Sequence, residues 1–166
     1  MSTLEDTLIV WKTLETYTPK SIRNLGISNT TLPVLQGIYE HATVKPTVVQ
    51  NRFHDGTSYE VELRAWCREK GIIFQSFWTA TANPRLLMSP QVQTVAQSVG
   101  VSRHVAYLSL VLGLEGITVL DGTTAEDHMR ANLEGIEKVG IWAESTGAQE
   151  WNSCLNGFKS LIHDVS

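Results

Sequence analysis

No stretch of about 18 apolar residues occurs in this 166-residue sequence, so no membrane-spanning helix is predicted. Cysteine is scarce. Cys67 and Cys154 are the only two, far apart and without metal-ligand spacing, which reads as two reduced thiols rather than a disulfide framework or a zinc site. Basic charge is not in excess: 13 Lys and Arg stand against 17 Asp and Glu, for a net charge of −4. With a pI near 5.7, the chain lacks the clustered basic face that nucleic acid requires. There is no Ser-His-Asp order, no metal cluster and no P-loop, so nucleophilic and metal-dependent catalysis have no positive support. The opening residues, Met1 to Asp6, are polar and acidic, unlike a signal peptide, and a cytoplasmic location is expected. With no linker and no low-complexity segment, one domain over residues 1–166 is expected.

What is present is an ordinary soluble balance, 42% hydrophobic and 18% charged. Helical and strand patterns alternate with short connections. A first helix is predicted from about Leu4 to Tyr17, capped by Thr3 with Asp6 three residues on. Strands are predicted at Ile22–Asn29, Pro46–Phe53, Ile72–Trp78 and Ile117–Leu120. Between them, helices are predicted from Asn29 or Thr30 through Ile38, from Ser58 to Lys70 with Gly71 as stop, from Ser89-Pro90 to Gly100, and from Val105 to Leu114 with Ser102 as cap. Thr79–Leu87 reads as a loop. A helix from about Ala125 to Lys138 and another from Gln149 to Ile162 complete the pattern.

Apolar strands separated by helices imply an α/β fold with a parallel sheet, buried on both faces. Four strands do not close a barrel, whereas eight do. The expected architecture is therefore an open sheet or half of a (β/α)8 TIM barrel. A twofold axis along the barrel would let two copies close one ring, and this would cover two exposed parallel edges.

Four segments carry a resemblance. Lys20-Ser-Ile-Arg-Asn-Leu-Gly-Ile-Ser-Asn29, Val48-Val-Gln-Asn-Arg-Phe53, the run from Cys67 to Trp78, and Gly116-Ile-Thr-Val-Leu-Asp-Gly-Thr-Thr-Ala-Glu-Asp-His-Met-Arg-Ala-Asn-Leu133 follow one another in register over nearly the whole chain. They resemble the C-terminal half of the aldo-keto reductase family. The resemblance implies an eight-stranded barrel with NADP(H) as cofactor. It also implies that the family's catalytic Asp, Tyr, Lys and His lie on early strands to which no position of this sequence corresponds. By the same resemblance, Ser28, Asn29 and Gln50 contact the nicotinamide carboxamide, and Phe77 takes the place of a stacking Tyr. Thr123, Thr124, His128 and Asn132 fall on the cofactor-phosphate segment. Trp78 and Thr79 replace the usual Ser and Pro, and Gly122 stands where many members have a phosphate-binding Lys. The helix starting at Ala125 offers free N–H groups to a phosphate.

Read without the resemblance, these residues keep simpler roles. Ser28-Asn29 is also a helix cap, and Gln50 is also a structural hydrogen-bonding residue. His54, Asp121 and Arg52 lie at strand ends and are the candidate catalytic residues; the alternative is an exposed loop histidine and an Arg52–Asp121 ion pair. Phe77 and Trp78 suit either a platform for a flat ligand, with Trp78 as substrate contact, or interface packing. His41, His104 and His163 are expected to be solvated, and Glu126-Asp127 to complement a helix dipole. Three functions follow: an enzyme repurposed for non-redox chemistry on a small organic molecule (isomerisation, dehydration or cyclisation), closing its pocket as a homodimer or with another half barrel; a residual NADP(H)-binding oxidoreductase or accessory half; or an inert fragment. Self-sufficient carbonyl reduction is not expected.

Overall fold

The computed structural model describes residues 3–164. Helix α1 (Leu4–Glu15) starts in the predicted capping box: Thr3 Oγ1 accepts from the Asp6 N–H at 3.1 Å and the Asp6 carboxylate accepts from the Thr3 N–H at 3.3 Å. There follow β1 (Gly26–Ser28), α2 (Leu32–His41), β2 (Val48–Arg52), a 3-10 segment (Asp55–Glu60), α3 (Val61–Lys70), β3 (Ile73–Phe77) and α4 (Pro84–Leu87). Then come α5 (Pro90–Val99), α6 (Arg103–Leu112), β4 (Ile117–Val119), α7 (Glu126–Ala143) and α8 (Ala148–Leu161). Gly71 and Gly100 end α3 and α5 at φ of +68° and +69°, the left-handed geometry that glycine adopts without a Cβ clash.

The sheet is parallel throughout and its strands stand in chain order, β1-β2-β3-β4. Side chains alternate between its two faces. Ile27, Val49, Phe74 and Ile117 share one register row, and that face packs under the helices in the main core. Ser28, Gln50, Gln75 and Thr118 form the next row on the other face, with Ile73 48% exposed and Arg52 exposed beside it. This corrects the expectation of a sheet buried on both sides: helices cover only one. Four strands with one open face are the geometry of a half barrel, whose open face would be the interior of the closed ring.

Other boundaries shift for identifiable reasons. The first strand starts at Gly26 rather than Ile22. The helix expected from Ser58 starts at Val61, because Ser58, Tyr59 and Glu60 are left-handed, with φ of 48°, 52° and 54°. Tyr59 is held there by packing on Phe53, 5.2 Å between ring centres, and by its carbonyl accepting from Arg64 Nε at 2.9 Å. The predicted loop after β3 contains α4, and α7 runs on past Lys138 to Ala143. Arg64 and Asp164 form a buried ion pair at 2.8 Å that ties α3 to the end of the described chain. Burial pulls the Arg64 pKa down, opposed by Asp164. No helix among the described residues is long and apolar enough to cross a membrane.

Candidate functional site at the strand ends

Beyond the carboxyl ends of β2, β3 and β4 lies an open cavity of about 980 Å³. Parallel α/β sheets bring loops and helix N-termini together at this end, which is why sites form there. Gln50 contributes from β2, and its Nε2 donates to Gln75 Oε1 at 2.6 Å. Phe77 and Trp78 contribute from the end of β3, edge to face with ring centres 6.0 Å apart. Trp78 is 55% exposed and sits at φ +56°. The loop behind it is fixed from below. Thr79 is buried, its hydroxyl bonds that of Ser76, and its carbonyl accepts from the Tyr107 hydroxyl at 2.7 Å and from Asn83 Nδ2 at 2.8 Å.

Across the cavity, α6, β4 and α7 supply polar groups. The Asp121 carboxylate accepts through Oδ2 from Asn132 Nδ2, and its Oδ1 lies 3.7 Å from His104 Nε2. Both side chains remain partly open, at 37% for His104 and 28% for Asp121. Thr123 and His128 also line this wall, and Thr123 Oγ1 accepts from the Ala125 N–H at 3.3 Å. Helix α7 has no side-chain cap.

Several expectations change here. Arg52 and Asp121 do not pair. The Arg52 guanidinium lies 4.2 Å from the Trp78 ring centre and 6.0 Å from that of Phe77, and Asp121 is engaged by Asn132 and His104. His104 is not simply solvated but lines the cavity. His54 does not line it; His54 Nδ1 accepts from the Gly56 N–H at 3.2 Å and caps the 3-10 segment. Ser28 and Asn29 do not cap α2, whose cap is Thr31, and Asn29 is left-handed at φ 53° with its side chain on Ser28 Oγ at 3.0 Å. They line a separate cleft of about 260 Å³ with Thr7 and Val34. The α2 entry is instead organised by buried Asn51, which accepts from the Thr30 N–H at 3.0 Å and donates to the Thr30 carbonyl at 2.7 Å. Thr124 does not line the cavity, while Gln50, Phe77, Trp78, Asp121, Thr123, His128 and Asn132 do. His41 bonds the Gly37 carbonyl through Nδ1 at 2.8 Å, and Glu126 pairs with Arg130 at 2.9 Å.

Burial pushes the Cys67 thiol up to about 12, and Cys154 is raised by burial as well, so neither is an activated nucleophile. Among the described residues, no group of three His, Cys, Asp or Glu is placed to hold a metal ion. The residue that sequence reasoning missed is His104. Its signal was only positional: it follows the Ser102 cap, at the α6 N-terminus, which in a parallel α/β fold faces the strand ends.

No family model matches the chain. It is similar to the D-galacturonate reductase of Hypocrea jecorina, 30% identical over 131 residues, covering 76% of this chain and 41% of that protein. It is also similar to the aldo-keto reductase family 4 member C11 of Arabidopsis thaliana, 28% identical over 132 residues, covering 75% and 41%. The chain thus spans about two fifths of the length of the curated relatives it matches. The fold matches an aldo-keto reductase from a Medee basin deep-sea metagenome library with a TM-score of 0.70 at 17% identity, covering 84% of this chain and 56% of that one. It also matches a Gox0644 variant in complex with NADPH, with a TM-score of 0.63 at 18% identity, covering 80% and 51%. By sequence these 166 residues are similar to part of an aldo-keto reductase, and by fold they match an α/β half of such a barrel.

Proposed function

We propose that this chain binds a small organic molecule in the strand-end cavity and acts on it by proton transfer rather than hydride transfer. One observation carries the reading: His104 and Asp121 face each other across 3.7 Å in the cavity wall, with Asn132 holding the carboxylate. An imidazole is the side chain best suited to move a proton near neutral pH, and a carboxylate facing one ring nitrogen stabilises the imidazolium that forms. In this reading Asn132 orients Asp121, Asp121 stabilises the charge on His104, and His104 takes and returns the proton. Phe77 and Trp78 supply an apolar wall against which a flat ligand lies. Isomerisation beside a carbonyl, and loss of a β-hydroxyl as water through the enolate, both begin with such a proton abstraction. The open sheet face is closed by four further strands from outside these residues, provided by a second copy or another half barrel.

A second reading, NADP(H) binding, is favoured by Gln50, Phe77, Thr123, His128 and Asn132 lining one cavity. It is weakened because Ser28, Asn29 and Thr124 lie outside that cavity, and because no Lys or Arg among the described residues lines it. The fit to the ring end of the cofactor is partial and the fit to its phosphates is poor.

The test is proton exchange. Small ketones and aldehydes incubated in D2O with the protein are followed by NMR for exchange of the hydrogens beside the carbonyl. Exchange above the buffer rate that falls at least about tenfold in His104→Asn supports proton transfer. Steady NADPH consumption with the same aldehydes, unaffected by that substitution, would replace this reading with the second.

A further inference from the structure

The charge of the cavity wall limits what it holds. Among the described residues that line it, Asp121 is the one carboxylate, no lysine or arginine joins it, and His104 and His128 are the other titratable groups. Three arginines stand close by in the chain, and none of them lines the cavity. Arg52 stacks on Trp78 and Phe77, Arg103 Nη1 lies 3.2 Å from Met88 Sδ, and Arg130 pairs with Glu126 at 2.9 Å. The first turn of α7, which ends at this wall, carries Glu126 and Asp127. Asn132 donates to Asp121 Oδ2, His104 Nε2 lies 3.7 Å from Oδ1, and the carboxylate keeps its charge. A second feature is that Phe77 and Trp78 line the same cavity as Asp121. An aromatic surface beside a carboxylate is a recognition pattern for a flat cation.

We infer that this cavity takes a phosphate-free aromatic or otherwise flat molecule carrying a protonated amine, with the amine at Asp121 and the ring against Phe77 and Trp78, and that it disfavours phosphate-bearing ligands. The inference concerns the same cavity as the proton-transfer reading and is read by binding alone, so the two fail separately.

A matched pair of probes isolates the charge. 2-Phenylethylamine and 3-phenylpropionate present the same ring on a short tether with opposite charges. Both are titrated into the full chain by ligand-observed NMR at pH 8. The amine is expected to bind at least about tenfold more tightly than the carboxylate. Asp121→Asn, nearly isosteric, should erase that preference. A second variant guards against misfolding of the first. A Cβ built at Gly122 meets nothing within 4 Å, so Gly122→Lys adds a cation to the wall without a clash and should reverse the preference toward 3-phenylpropionate. NADPH, followed by tryptophan quenching, should show no saturation with the unaltered chain and should gain affinity in Gly122→Lys. Equal or tighter binding of 3-phenylpropionate, or saturable NADPH binding by the unaltered chain, would overturn the charge selection. No binding of either probe would overturn the site as a seat for flat ligands. Loss of proton exchange in His104→Asn with the amine preference intact bears on the chemistry and leaves the ligand class standing.

Discussion

His104 Nε2 and Asp121 Oδ1 stand 3.7 Å apart although one belongs to the first turn of α6 and the other follows the end of β4. At this separation, and with both side chains partly open, the pair adds little to stability; exposed ion pairs contribute about 0–1 kcal/mol. His104→Asn is therefore expected to leave the unfolding midpoint nearly unchanged while lowering proton exchange at least about tenfold. Thermal unfolding and the exchange rate, measured on one preparation, check this. A large fall in the midpoint together with the rate would show that the pair serves the fold instead.

The opposite holds for Arg64 and Asp164. Their side chains are each 1% exposed and the ion pair is 2.8 Å. Removing one partner leaves an uncompensated buried charge, which costs about 3–5 kcal/mol, whereas replacing both with apolar residues of similar volume is close to neutral. Asp164→Ala should lower the urea midpoint strongly, and Arg64→Met with Asp164→Leu should recover most of the loss. Equal midpoints for the single variant and the parent chain would show that the pair is not buried in solution.

The sequence revealed what is decided locally. The Thr3–Asp6 box, the Ser89 and Ser102 caps and the Gly71 and Gly100 stops all form as read, because each depends on a few neighbouring residues. The centres of the four strands were legible from their apolar runs, and the parallel order from the intervening helices. What depends on contacts distant in the chain was not legible. Nothing in Ser58-Tyr59-Glu60 signals left-handed backbone, since its cause is Tyr59 packing on Phe53 and bonding Arg64. Arg52 was expected to pair with Asp121 because both lie at strand ends, and only the fold brings the Trp78 ring to 4.2 Å from it. His104 needed the placement of α6 against β4 before it could be seen beside Asp121.

Glu60 makes stability depend on pH. Burial raises its pKa from the usual carboxylate value of 4.5, and this outweighs the lowering by its bond from Asn51 and by Arg64. A carboxyl whose pKa is raised on folding favours the folded state while it is protonated. The contribution is fully present below the unfolded value and is lost as pH rises through the raised one. Glu60→Gln keeps an acceptor for Asn51 Nδ2, which bonds Glu60 Oε1 at 3.2 Å. The variant should therefore be more stable than the parent at pH 7 and should gain less at pH 4. Thermal unfolding across that range reads the difference, and a variant whose curve runs parallel to the parent's would exclude Glu60 as a source of pH dependence.

The last expectation concerns the open face of the sheet. Ile73 is 48% exposed there, in the same register row as Gly26 and Val48, where a closed barrel would bury it. If a second copy closes the ring, light scattering should return about twice the 18.4 kDa chain mass. Ile73→Lys would then place an ammonium in the interior of the ring, where an unpaired charge is strongly disfavoured. In a monomer the same side chain reaches solvent and the fold is untouched. The expected result is therefore a shift from dimer to monomer with helix content preserved. A chain that scatters as a monomer before and after the substitution would rule out closure by a second copy.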